Sequence, residues 1–368
     1  MMAPQNVQRA PVPLGWLHAL LLIFVWGSSA CADESALRIP PDSDLLLVTQ
    51  FKTSHLAYVD PHVGVIAQVR VGRAPYSVVA DAKYAYVATG EGVAVVDILE
   101  GLRIALIPYQ ASIEGIRWGE YRQGGMGIAL SPDGKTVAVG VNLGSQNGQL
   151  ELISTSSQTV LKSVAIGVRP FQVLFSREGD EVYSIDHDSY SVTAYNITSD
   201  TIRVFETAPL GYGSFAKPHY AAMNKQGDLL LPIQGRVLLK LNPRTGEQTQ
   251  IPMTAQTHQH GVTLSCDDST LYVIGTGPAG EAGKGASFSR INLGNGQGRN
   301  IALDQEHEQV VLSMDGKFAY LTGGNSFTEG WDGISVIDLE RDDIQTIQVE
   351  NQPLGVTLWR TGELSIEC

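Results

Sequence analysis

Short apolar runs closed by small polar residues cover the chain from residue 44 onward. Leu45-Leu46-Leu47-Val48, Leu56-Ala57-Tyr58-Val59, Tyr86-Val87-Ala88-Thr89 and Tyr272-Val273-Ile274-Gly275 show the pattern. They have strand length, alternate with period two, and are separated by turn residues. After the first 32 residues the chain shows no amphipathic helical stripe, so the pattern predicts an all-β protein.

Two markers recur at a regular interval. A polar turn after a short apolar strand stands at Asp81, Ser131-Pro132-Asp133-Gly134, Ser176-Arg177-Glu178-Gly179 and Asn224-Lys225-Gln226-Gly227. It returns at Ser265-Cys266-Asp267-Asp268, Ser313-Met314-Asp315-Gly316 and Trp359-Arg360-Thr361-Gly362, with spacings of 50, 45, 48, 41, 48 and 46. A small polar residue closes another strand at Asp60, Asp97, Ser154, Asn196, Asn242, Asn292 and Asp338. Seven all-strand repeats of this length predict a seven-bladed β-propeller of four-stranded blades. Leu45 to Val48 and Leu56 to Val59 are outer strands with no inner partner before them. The last strand, Leu354 to Leu358, has the inner-strand pattern and no outer strands after it. The ring is therefore expected to close through the C-terminal strand, which removes an open sheet edge.

The N-terminus reads differently. An apolar run from Leu14 to Trp26 is shorter than the roughly 20 residues that a spanning helix needs, and it ends in Gly27, Ser28, Ser29, Ala30, Cys31, Ala32. Ala30-Cys31-Ala32 is a small-x-small cleavage pattern. The expected organisation is a cleavable signal peptide over 1–32, a linker over 33–43 and the propeller over 44–368. Localisation is then secreted or periplasmic. The alternative is a lipid anchor on Cys31, since Ser-Ser-Ala-Cys31 also has the look of a lipoprotein box. No later run is apolar enough to span a membrane.

Composition narrows the partners. The net charge of −13 gives no Coulomb gain against nucleic-acid phosphate or anionic lipid. Three cysteines are too few for a disulfide scaffold. Cys266 and Cys368 lie in distant repeats, a placement that does not predict a bond between them.

Val71-Gly72-Arg73-Ala74-Pro75, Ile166-Gly167-Val168-Arg169-Pro170 and the two Tyr-Val strands above resemble YVTN-type propeller repeats over residues 44–362. That resemblance implies an exported seven-bladed propeller of the broad group that includes lactonase-like proteins and subunits of quinoprotein dehydrogenases. Lys217-Pro218-His219-Tyr220 resembles the His-bearing inner strand of the lactonase-like group.

Candidate chemistry comes from register. The residue five places before each turn marker is Tyr76, Met126, Phe171, His219, His260, Glu308 and Leu354. His219, His260 and Glu308 fall on three consecutive blades at one level, and period-two alternation puts His258 on the same side. Two imidazoles and a carboxylate near a mouth suit general acid–base catalysis or a facial site for a divalent metal ion. Loops on that mouth offer Trp118 and Arg122 in the long connection Ile113 to Arg122, and Tyr212 and Phe215 between Leu210 and Phe215. They also offer His187, Arg236 and Trp331 between second and third strands, the arginines to hold an anionic group. Asp186-His187-Asp188 otherwise reads as a solvated turn. The Gly-rich stretch from Gly275 to Gly285 opens no helix, so it lacks the donors of a phosphate loop.

The expected function is an enzyme acting on a small organic molecule at the channel mouth, as a lyase, isomerase or lactone hydrolase. The competing expectation is a non-catalytic module that binds a ligand or docks a protein such as a redox partner.

Overall fold

A computed structural model describes residues 44–360 apart from 116–118, 120–121, 214–215, 234–236, 254–258, 276–284 and 325–329. The expected signal peptide and linker lie outside these residues. The described strands form seven four-stranded antiparallel sheets, the blades of a propeller. Pro353–Trp359, Val78–Ala80, Gly124–Leu130, Pro170–Phe175, Ala222–Met223, Gln259–Leu264 and Val310–Leu312 are the innermost strands of blades 1 to 7. In blade 1 the inner strand comes from the C-terminal end of the described chain and pairs with Leu45–Gln50. Among the described residues no helix is long and apolar enough to cross a membrane.

The turn markers have a local cause. Ser131 donates its hydroxyl to Asp133 Oδ1 at 2.7 Å and accepts from Thr136 N at 3.0 Å, and Gly134 N closes the turn on Ser131 O at 2.8 Å. The fourth position has positive φ, +69° at Gly134, which glycine adopts without steric cost. Asp268 takes the same conformation at +59°, as short polar residues can.

Each middle strand buries both faces because a blade is sandwiched between two others, so such strands read as continuous apolar runs. Among the described residues eight hydrophobic clusters result. Seven lie between successive blades, and the eighth gathers Phe51, Ala74, Tyr76, Met126, Phe171, Tyr220 and Leu354 on the axis. The outermost strands are largely exposed, as in Gln248–Pro252 and Ile344–Gln348.

The inner strands approach closely where glycine occurs. A Cβ on Gly127 would lie 2.5 Å from Gln172 Cα, one on Gly261 2.8 Å from Glu308 O, and one on Gly355 2.2 Å from Tyr76 O. All three stand four places before their turn markers. Blade 1 is tied to blade 2 by Thr49, which donates to Tyr76 O at 3.0 Å and accepts from Gly355 N at 2.8 Å. Trp359 Nε1 donates to Asp81 O at 3.0 Å across the same interface.

The sequence does not anticipate one covalent feature. Cys266 is disulfide-bonded, and its partner lies outside the described residues, as do Cys31 and Cys368.

Thr49→Val should cost about 1–3 kcal/mol, because two buried backbone groups lose a partner. Truncation after residue 352 should cost more, since it strips the inner strand from blade 1 and opens two interblade clusters. Urea denaturation of both variants checks this. An unchanged midpoint in the truncated protein contradicts the interlock.

Candidate functional site

The seven residues at the common register all reach the axis. Tyr76, Met126, Phe171, His219, His260, Glu308 and Leu354 are between 0% and 5% exposed. The expectation was that His219, His260 and Glu308 line a mouth at one level. Instead the level is packed: Phe171 lies 4.9 Å from the His219 ring and 6.4 Å from the Tyr76 ring. A seven-fold ring of inner strands leaves an axial hole that one side chain per blade fills.

Three of the seven, on consecutive blades, are imidazoles or a carboxylate. The His219 and His260 rings stack at 4.8 Å and 23°. His260 Nδ1 comes to 2.8 Å from Glu308 Oε2, an ion-pair approach rather than an aligned hydrogen bond. The other carboxylate oxygen, Oε1, accepts the Tyr220 hydroxyl at 2.8 Å. Burial and the Glu308 charge push the Tyr220 pKa far up, so its phenol stays protonated and donates. On the other side His187 packs 4.3 Å from His219 and 4.9 Å from Phe171. Three imidazoles, a carboxylate and a phenol therefore run side by side through the axis.

His187 is anchored by a charge network that the sequence reading took for a solvated turn. Its Nδ1 lies 2.8 Å from Asp188 Oδ1, which also accepts from Lys217 at 2.7 Å, while Arg169 pairs with Oδ2 at 2.8 Å. These partners outweigh burial and hold the Asp188 carboxyl well below the usual range. Asp186 is fully buried and accepts from Ser184 at 2.6 Å and Thr193 at 2.5 Å. Burial still pushes its pKa up to about 6.

The remaining candidates divide. Arg122 was expected to hold an anion, but it is buried and donates to the carbonyls of Gln123 at 3.1 Å and Gly125 at 2.5 Å. Its guanidinium sits over Tyr76 and Phe51 at 5.2 and 5.8 Å, and burial lowers its pKa to about 10. It braces the apolar half of the plug. Tyr212 is 64% exposed and packs edge-on against Tyr190, away from the axial ring. Trp331 donates Nε1 to Glu306 O at 2.8 Å and caps His307 edge-on at 5.3 Å. His258, Trp118, Phe215 and Arg236 lie outside the described residues, as does most of the Gly-rich stretch. Among the described residues no three His, Cys, Asp or Glu side chains are disposed to hold a metal ion. Stacking explains this for the histidines: imidazole lone pairs lie in the ring plane, and two near-parallel rings do not aim them at one point.

The sequence reading missed Tyr220, Asp188 and His307. Tyr220 follows His219 directly, but register directed attention to every fifth position before the marker and not to its neighbour. His307 is buried, its Nε2 lies 2.8 Å from Ser335 Oγ, and burial lowers its pKa to about 4.

Acid should weaken the fold. Burial lowers His187 and His307 to about 4 in the folded chain, against about 6.5 unfolded. Their contribution is complete above pH 6.5 and is lost as pH falls through that window. Asp186 at about 6 works in the opposite sense, stabilising below its unfolded value and losing this as pH rises to 6. Two imidazoles outweigh one carboxyl, so the net loss from pH 7 to pH 5 is on the order of 2 kcal/mol. Urea midpoints at the two pH values measure it, and His307→Leu should shrink the difference.

No protein-family model matches the chain, and no curated protein matches it in sequence. Solved structures match its fold at low identity. The periplasmic gluconolactonase of Pseudomonas aeruginosa is 15% identical with a TM-score of 0.62, covering 87% of this chain and 100% of that one. A putative 6-phosphogluconolactonase of Bacteroides fragilis is 14% identical with a TM-score of 0.63, covering 87% and 99%. Hydrazine synthase of Kuenenia stuttgartiensis is 18% identical with a TM-score of 0.60, covering 81% and 93%. The chain is thus similar in fold to seven-bladed propellers of the gluconolactonase kind.

Proposed function

We propose that this protein is an exported propeller of the YVTN and lactonase-like group that hydrolyses a small neutral lactone by acid–base chemistry at the axial His219, His260 and Glu308. One observation carries the reading. Four of the seven equivalent positions hold apolar or aromatic side chains that fill the axis well, while three consecutive blades place ionisable groups there. Burying an imidazole–carboxylate pair is expensive unless the pair has partners and a use. The Glu308 carboxylate beside Nδ1 favours the tautomer that carries its proton on that nitrogen. Nε2 of His260 is then the base. It takes a proton from a water as the water adds to the lactone carbonyl, and it returns that proton to the ring oxygen as the acyl C–O bond breaks. Tyr220 fixes the carboxylate by donating to Oε1. The lactonase names of two structural neighbours suggest the substrate class, and the apolar run ending at Ala32 supports export.

The test is pH-stat hydrolysis of glucono-δ-lactone by the protein starting at Asp33. His260→Gln and Glu308→Gln should each lower kcat about 100-fold or more, the usual worth of a positioned base, with the fold retained by circular dichroism. A wild-type rate equal to the uncatalysed one, or variants with unchanged kcat, would leave the plug as a purely structural device and favour the binding-module reading.

A further inference from the structure

Beneath the plug the channel is open. Starting at the mouth where the turn markers lie, a cavity of about 450 Å³ runs up the axis to the plug. Its floor is the ring of residues four places before the markers, where Ser77, Gln172, Tyr220 and Gln309 carry side chains and Gly127, Gly261 and Gly355 do not. The glycines are set by backbone approach between blades, and they leave the centre of the floor to the other four. Above the mouth the wall is Val79, Ile128, Leu174, Val262, Val311 and Val356. The charged lining residues of the cavity and its adjoining lobe are Arg177 and Asp268, both next to the turn markers at the rim. The rest of the lining is neutral.

The floor is polar and ordered. Gln309 donates to Ser77 Oγ at 3.3 Å and accepts from Val356 N at 3.3 Å, while Gln172 accepts from Ala221 N at 2.5 Å. Each glutamine thereby reaches the inner strand of the next blade. These strands are sheet edges, and edge backbone groups without a ladder partner face the axis. A ligand entering here meets aliphatic walls first, then amides and a hydroxyl at the blind end. A charge driven to that depth would lose its hydration and find no counter-charge, a cost far above that of a neutral hydrogen-bonding group.

We infer that this blind channel is a binding site for a slender neutral amphiphile, seated with an aliphatic body against the valines and a hydroxyl, carbonyl or amide head against Ser77 and Gln309. The site opens at the turn-marker ends of the inner strands, and it stands whether or not the lactonase reading holds. Its selectivity follows from the wall: head-group charge of either sign is rejected, and burial of the alkyl body drives association with a negative heat-capacity change.

Calorimetric titration of the purified protein with octanamide, octanoate and octylammonium tests this directly. Octanamide should bind with one-to-one stoichiometry, and both ions at least tenfold more weakly. Thr357→Trp should place a ring in the bore and abolish octanamide binding, while Ser77→Ala should weaken it several-fold. Three results would overturn the inference: no heat from octanamide up to its solubility, equal binding of the charged analogues, or binding that survives Thr357→Trp. The analogue series on the unmodified chain decides the matter even if a blocking variant does not fold.

Discussion

Seven inner strands must meet around one axis, and almost everything else in this molecule answers to that requirement. Blade-to-blade packing supplies the apolar burial, yet the strands converge only as far as their backbones permit. Gly127, Gly261 and Gly355 mark the tight points, each against the strand of the next blade. Their register sets the height of the constriction. One step above it, seven side chains fill the hole. At their own level, the glycines leave the floor to four polar residues. The plug and the cavity are thus two faces of a single steric constraint.

The plug is chemically lopsided. Tyr76, Met126, Phe171 and Leu354 would form an ordinary apolar stopper, and Arg122 is buried among them through contacts to carbonyls and ring faces. On the other side, His219, His260, Glu308 and Tyr220 replace dispersion contacts with charge-assisted ones. In a low-dielectric interior such groups are stable only as a connected set. The Tyr220 hydroxyl and the His260 ring together occupy both oxygens of Glu308. Removing any one member leaves the others without compensation, so this half of the axis is bound to be less tolerant of change than the apolar half.

How much of this could be read beforehand depended on what repeats. The turn markers repeat because a Ser or Asn side chain and a positive-φ residue build the same turn in blade after blade. Counting back from them located all seven axial residues, and the fold followed from the same spacing. What does not repeat was not legible. Register fixes height along the axis but not whether the channel is open there, and the structure has a packed plug where the sequence predicts a lined mouth. Arg122 and Trp331 sit in connections unique to their blades, and only the structure shows that one turns onto aromatic rings and the other onto His307. Asp188 was read as solvated because its partners Arg169 and Lys217 are distant in sequence.

The plug also divides the axis into two compartments with different chemistry. Towards the strand starts lie His187, Asp188, Lys217 and Arg169, a charged network held by ion pairs. Towards the turn markers lies an aliphatic bore with a neutral amide floor. Only a few side chains separate them, and Tyr220 belongs to both, with its hydroxyl on Glu308 and its side chain in the lining of the bore. A ligand against the floor would therefore press on the residue that positions the Glu308 carboxylate. Coupling between two sites needs a differential contact with a shared element, and Tyr220 is the element that the geometry supplies. Because its phenol stays protonated, any displacement of the ring changes hydrogen bonding to the carboxylate rather than charge. A ligand on the floor would then be coupled to the axial pair through the orientation of the Glu308 carboxylate, which the Tyr220 hydrogen bond fixes.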